Sequence, residues 1–168
     1  MKTVDIAKDI VYLCSKYQYE YSNTKIQRLL FLFIGFALVN NVKFDEDVVL
    51  VTNDKKRVEL MELVDEQPKA WPYGPVFSKV NHRYQEIIET ATSEGYQITN
   101  LSEYTLDILT KTVQRYGKVE TLQLSEWLTR EGSPWDSVKN IDGTGWDIEI
   151  PLDLIREYFE NSVQNILV

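Results

Sequence analysis

The chain of 168 residues has one cysteine, one histidine and seven scattered glycines, and each scarcity excludes a class of function. The single cysteine, Cys14, rules out an internal disulfide and predicts a protein of the reducing cytoplasm. Cys14 and His82 alone supply too few ligands for a transition-metal site. The glycines form neither of the common phosphate-binding patterns. We therefore expect no metal and no cofactor.

Basic residues are also scarce, since 18 lysines and arginines stand against 26 acidic residues, for a net charge of −8. Proteins that bind nucleic acid usually present a basic face. Nucleic-acid binding is therefore not expected, although a local patch around Lys25 and Arg28 stays open. The longest apolar run, residues 29–39, is shorter than the roughly 18 residues that span a bilayer, and residues 1–9 lack the apolar segment of a secretory signal. We expect no membrane association.

The hydrophobic pattern predicts a mainly α fold, a single compact helical domain of about six helices over residues 1–168. The second helix is apolar on all sides past its first turn, which is typical of the centre of a helical core. A small β-hairpin is expected after it, inserted at about residues 41–68, with strands at 48–52 and 58–64. A further short strand is expected near 146–150. The predicted helices cover about residues 3–17, 22–39, 75–90, 101–116, 121–128 and 151–159.

The segment 70–76, A-W-P-Y-G-P-V, concentrates two prolines and two aromatic residues ahead of a helix-like run. Proline fixes its own φ and restricts the residue before it, so most backbone torsions of this segment are set in advance. It is either a rigid turn whose rings fill the core or a recognition loop that loses little entropy on binding. The two interpretations are compatible. We predict that Tyr73 is exposed and that Trp71 reaches the core.

Other candidate residues have ordinary interpretations beside functional ones. His82 is expected on a polar helix, as a surface residue or a partner contact. Asp65 and Glu66 form a solvated acidic turn or, as an open alternative, a carboxylate pair for hydrolysis. Lys25 and Arg28 share one helix face and form a polar helix start or a contact for an acidic partner. By elimination, the sequence favours a protein that binds over an enzyme.

Three segments together resemble the Panacea domain of SocA-like antitoxins. Residues 25–31, K-I-Q-R-L-L-F, look like the family's K-L-Q-K-L-L-Y helix, and residues 70–76 look like its A-W-x-Y-G-P-V loop. Tyr116-Gly117, Leu124 and Ser133-Pro134-Trp135 are similar to its Y-G, leucine and P-W sequence. The segments occur in the family's order.

Two departures accompany the resemblance, which covers about residues 3–136. About thirty residues, 40–69, stand where the family usually passes quickly from its second helix to the tryptophan loop. Thr129-Arg130 stands where a threonine-histidine pair often precedes the P-W motif. The resemblance therefore implies one Panacea-like domain with an inserted hairpin. Because Arg130 replaces the family's histidine, no role of that histidine carries over to this chain.

The resemblance implies a bacterial or prophage antitoxin that neutralises a cognate toxin encoded nearby by direct binding. One family member is described as an adaptor that delivers its toxin to a protease, so a protease is a second possible partner. The acidic composition suits a basic toxin through charge complementarity. The expected partner-binding residues are Trp71, Tyr73, Gly74, Pro75, Lys25, Arg28 and His82.

Two further functions stay open beside the antitoxin. A DNA-binding autoregulator would need a recognition helix, and residues 23–31 are the one candidate. A hydrolase would use carboxylates near Asp65 and Glu66. The sequence predicts neither the toxin nor the oligomeric state.

Overall fold

The computed structural model describes residues 2–39, 42–44, 49–51, 64–139 and 147–162. The fold is mainly α, as predicted, with short strands beside the helices. In the described ranges the helices are α1 Lys2–Lys16, α2 Asn23–Val39, α3 Ser78–His82, α4 Tyr84–Ala91, α5 Glu103–Tyr116, α6 Thr121–Thr129, α7 Pro134–Val138 and α8 Leu152–Ser162. The strands are β1 Val42–Phe44, β2 Val49–Val51, β3 Lys69–Trp71, β4 Gly74–Val76 and β5 Ile148–Glu149.

Helix α2 is the centre of the core, because every residue from Lys25 to Val39 is buried. The Ser22 hydroxyl begins the helix by accepting a hydrogen bond from the Lys25 amide at 3.1 Å. Helices α1, α5 and α8 pack around it. Gly35 permits a close approach to α8, since a Cβ there would overlap the ring of Phe159. The prediction of a central apolar helix is confirmed.

Pro75 does not begin a helix, so that prediction was wrong. Strands β3 and β4 form an antiparallel hairpin in which Ala70 pairs with Pro75, and β5 lies on the other side of β3. Proline has no N–H to donate, and β4 is an edge strand, where that donor is not needed. The helix begins only at Ser78 and is interrupted at Arg83, whose φ and ψ are −108° and 18°.

An antiparallel pair of strands, β1 and β2, lies within the range predicted for the inserted hairpin. Strand β2 lies inside the predicted strand 48–52, and its partner is β1, which precedes it in the chain. The proposed partner, residues 58–64, lies outside the described residues except for Val64. The ring of Phe44 on β1 meets Phe36 of α2 edge to face, with centroids 5.1 Å apart. This aromatic contact attaches β1 to the core.

Asp9 of α1 is a fully buried carboxylate that holds the segment between α4 and α5. Its Oδ1 accepts hydrogen bonds from the Tyr96 hydroxyl at 2.6 Å and from the Thr99 amide at 3.0 Å. Its Oδ2 has no hydrogen-bond partner in the described part of the chain. Burial raises the pKa of Asp9, and these hydrogen bonds lower it by less.

We expect Asp9→Asn to flatten the dependence of stability on pH. The folded-state pKa of Asp9 lies above its ordinary value of 3.8, so the folded protein holds this proton more tightly than the unfolded chain. The contribution of Asp9 to the free energy of unfolding is complete below pH 3.8, the ordinary pKa that applies to the unfolded chain. It is lost as the pH rises through the folded-state pKa. Melting temperatures measured between about pH 4 and pH 7 should fall less steeply for the variant. Asp5 and Tyr96, which face Asp9, remain in both proteins, and equal slopes would contradict the assignment.

Candidate functional site

The turn of the β3–β4 hairpin presents the most exposed large apolar side chain in the described ranges. Tyr73 is 84 % exposed, as the sequence analysis predicted, and Leu122 follows at 71 %. The next residue, Gly74, has a φ of +141°, a conformation that favours glycine. A Cβ at Gly74 would lie 2.5 Å from the guanidinium carbon of Arg28. The turn therefore needs glycine both for its backbone and for the close approach of α2.

The side chain of Arg28 donates hydrogen bonds to the backbone of this hairpin. Its Nη2 donates to the Tyr73 carbonyl and its Nη1 to the Pro75 carbonyl, both at 2.7 Å, while its Nε donates to the Ser125 hydroxyl at 3.0 Å. The neighbouring Gln27 accepts a hydrogen bond from the backbone amide of Phe77 at 2.8 Å. Two consecutive side chains of α2 thus fix the backbone of the turn and of β4.

The guanidinium of Arg28 is buried without a carboxylate. The residue is 2 % exposed, and none of the ion pairs in the described residues includes it. Burial lowers its pKa to about 10, a value at which the group still carries its charge at neutral pH. Its partners are two carbonyl oxygens and one hydroxyl, which solvate the cation and do not neutralise it.

Lys25 is also buried, so the exposed basic patch considered for Lys25 and Arg28 is absent. Lys25 is 4 % exposed, and its ammonium donates to the Val119 carbonyl in the loop between α5 and α6. Burial lowers the pKa of Lys25. Both cations bind backbone carbonyls of residues that are distant in the chain. The spacing of basic residues along one helix face could not reveal these partners.

A pocket of about 160 Å³ opens beside the hairpin. The first turn of α2 supplies Asn23 and Thr24, the hairpin supplies Trp71 and Tyr73, and α3 supplies Asn81. Nδ2 of Asn23 donates to Oδ1 of Asn81 at 2.8 Å. This bond orients the amide of Asn81. We call the exposed turn with this pocket the hairpin surface.

The prediction that Trp71 reaches the core was wrong. Trp71 is partly exposed, lines the pocket and donates its indole N–H to Asp147 at 3.2 Å. The buried indole is that of Trp135, which is 6 % exposed and donates to the Trp71 carbonyl at 2.7 Å. Trp135 follows Pro134 in the first turn of α7, the helix that Ser133 caps. The P-W motif therefore supplies a hydrogen-bond donor to the backbone of the hairpin.

Gly74 and Pro75 are buried and act on the hairpin surface through its backbone. His82 is exposed on α3, next to Asn81, and does not line the pocket. The structure therefore brings Trp71, Tyr73, Gly74 and Arg28 to one place, with His82 beside it. Sequence reasoning missed the supporting residues on other elements, Gln27, Asn81 and Ser125.

Asp65 and Glu66 join two helix starts and do not line the pocket. Oδ1 of Asp65 accepts from the Thr3 hydroxyl at 2.8 Å, and Oε1 of Glu66 accepts from the Lys79 amide at 3.1 Å. Burial alone would raise the pKa of Asp65, but hydrogen bonds from Thr3 and Lys79 bring it well below its usual range. Asp65 is therefore ionised at neutral pH and cannot serve as a general acid there.

The described residues contain no group of three His, Cys, Asp or Glu side chains that could hold a metal ion. Among the same residues, no helix combines the length and apolarity needed to cross a membrane. The fold and the site thus define a helical domain that presents a fixed aromatic hairpin.

Residues 60–136 match the family model of the antitoxin SocA-like, Panacea domain. The resemblance inferred from the sequence is confirmed over this segment, which contains the hairpin and the P-W motif. The segment 25–31 with Arg28 lies before the matched residues. No curated protein and no solved structure gives a significant match to the chain.

Proposed function

We propose that this protein is the antitoxin of a bacterial or prophage toxin–antitoxin pair and that it neutralises its cognate toxin by direct binding in the cytoplasm. The proposal places the contact on the hairpin surface. The observation that carries it is that Tyr73 is 84 % exposed on a hairpin inside the segment that matches an antitoxin family.

The physical state of the hairpin supports a binding role. The Tyr73 side chain faces solvent while its backbone carbonyl is held by Arg28. The turn is therefore ordered before any partner arrives, which lowers the entropic cost of association. Tyrosine, tryptophan and arginine are the residues most enriched among binding hot spots. Trp71, which lines the adjoining pocket, and the exposed His82 are further candidate contact residues.

The charge of the chain adds a preference for the partner. A net charge of −8 attracts basic proteins and repels acidic ones at long range. A basic toxin, such as one that acts on nucleic acid or nucleotides, suits this field.

Neither alternative function gains support from the described residues. A recognition helix must place exposed side chains in the DNA major groove, and α2, the candidate for that role, is buried from Lys25 to Val39. A carboxylate hydrolase needs one protonated acid near neutral pH, and Asp65 is held ionised.

Tyr73→Ala should weaken toxin neutralisation while the fold stays intact. Truncation of an aromatic hot spot commonly costs about 2 kcal/mol or more of binding free energy, roughly thirtyfold in affinity. The experiment expresses each variant with the protein encoded by the neighbouring gene and measures growth rescue together with the melting temperature. Leu122→Ala is the matched control, because it truncates the other highly exposed apolar side chain.

Full rescue by Tyr73→Ala with loss of rescue in Leu122→Ala would move the interface to α6. Failure of the wild-type chain to rescue growth against its neighbour would remove the antitoxin assignment for that gene pair. The toxin's abundance separates two mechanisms in the same cultures. Blocking leaves the toxin at its normal level, whereas delivery to a protease depletes it.

A further inference from the structure

Among the residues that the structure describes, the lining of the pocket at the hairpin surface contains one cation and no acidic side chain. Arg28 lines it together with Asn23, Thr24 and Asn81. A guanidinium has five N–H donors, and Arg28 uses three of them for the hairpin and Ser125. Asp147, which accepts the Trp71 indole N–H and lies 3.5 Å from the Lys69 ammonium, is outside the pocket lining. The buried charge of Arg28 is therefore available to an anion that enters from solvent.

The other polar groups of the pocket are suited to the same ligand. Oδ1 of Asn81 is taken by Asn23, so the amide nitrogen of Asn81 is the part of that side chain left to donate. Thr24 is exposed and lines the pocket, so its hydroxyl can donate as well. The side chain of Gln27 also lines the pocket, but it is already hydrogen-bonded to Asn23 and to the backbone of Phe77. Most of the rest of the wall is apolar, since Trp71, Pro72 and Val76 contribute to it. A ligand with a short apolar stem and a terminal anion matches both parts.

The size of the pocket suits the insertion of one side chain. Small-molecule sites usually measure about 300–1,000 Å³, whereas this pocket holds about 160 Å³, a volume close to that of a cavity that accepts a benzene ring. A protein that inserts a single residue beside Tyr73 would fill it.

We propose that the pocket receives one acidic side chain, Asp or Glu, of the partner protein, with Arg28 supplying the balancing charge and Asn81 and Thr24 donating hydrogen bonds. This inference rests on the proposed function for the identity of the partner. It adds a local rule to the long-range preference for a basic toxin: at this one position the toxin carries an acid. Such a charge would fix the register of the two proteins.

The test uses butyrate as a probe for the carboxylate and butylamine as a cationic control of similar length. The isotope-labelled full chain is titrated with each, and NMR follows the side-chain amide of Asn81 and the indole N–H of Trp71. Butyrate should shift both resonances saturably, with half-saturation on the order of millimolar, as expected for so small a ligand. Butylamine should shift neither. Equal shifts with both compounds, or no shift with butyrate, would overturn the proposal.

Two substitutions at one position sharpen the test. Thr24→Glu places a carboxylate in the pocket and stands in the first turn of a 17-residue helix that has no acid there, where a negative charge is favourable. We expect this variant to fold and to weaken butyrate binding at least tenfold, whereas Thr24→Gln adds the same bulk without charge and should weaken it less. Asn81→Asp repeats the charge test from α3. Undiminished butyrate binding in Thr24→Glu and Asn81→Asp would overturn the proposal.

The outcomes separate this inference from the antitoxin assignment. Growth rescue by the wild-type chain with no butyrate binding would remove the acidic pocket ligand and keep the antitoxin. Butyrate binding without growth rescue would keep the acidic pocket ligand and remove the antitoxin assignment. If the same two resonances shift with protein concentration alone, a second copy of this chain occupies the pocket and the assignment to a partner is wrong.

Discussion

Arg28→Met is expected to destabilise the protein and to release the hairpin. The carbonyl oxygens of Tyr73 and Pro75 would lose their donors, and a buried group left without its hydrogen bond costs about 1–3 kcal/mol. Methionine keeps the length and the apolar stem of the side chain but supplies no donor. Urea unfolding should show a lower free energy of unfolding, and the Trp71 indole resonance should shift as the turn loosens.

Ser125→Ala is the matched control for Arg28→Met. It removes the third hydrogen bond of the guanidinium, 3.0 Å long, and leaves both hairpin carbonyls with their donors. A net loss of about 0.5–1.5 kcal/mol is typical for one such bond. If Arg28→Met cost no more than Ser125→Ala, the burial of the cation would offset its hydrogen bonds, and the hairpin would be held by other contacts.

Phe33→Ala should lower the free energy of unfolding by about 3–5 kcal/mol, the usual cost of truncating a buried phenylalanine. Phe33 is 0 % exposed in the middle of α2, so the variant loses apolar burial and leaves a cavity at the centre of the core. Thermal melts of wild type, Phe33→Ala and the exposed Leu122→Ala make the comparison. A melting temperature for Phe33→Ala as close to wild type as that of Leu122→Ala would show that the core does not depend on this ring.

The features that sequence predicted well rest on local signals. The start of α2 was predicted near residue 22, where the Ser22 hydroxyl accepts a hydrogen bond from the amide three residues on, and such a pair is visible in any short window. Past Arg28, α2 has no polar residue and so no polar face, and its central position followed directly. The prediction that Tyr73 is exposed was right, whereas the companion prediction that the larger indole of Trp71 reaches the core was wrong.

The features that sequence missed depend on distant contacts. Proline is accepted both in the first turn of a helix and on an edge strand, and only pairing with β3 decides that Pro75 is in a strand. Arg28 resembled an exposed residue of a helix start, but its partners lie 45 and 47 residues further along the chain. The pocket has the same origin, since α2, the hairpin and α3 each supply part of its lining.

The dependence of the hairpin on α2 separates the recognisable sequence unit from the unit that folds. The family match begins at residue 60 and ends at 136, so a fragment cut at those bounds would carry the hairpin and the P-W motif without α1, α2 or α8. It would lack the guanidinium beneath Tyr73 and the helix around which the core is built. The smallest transferable version of the hairpin surface therefore has to include α2, however clearly the motif is recognised without it.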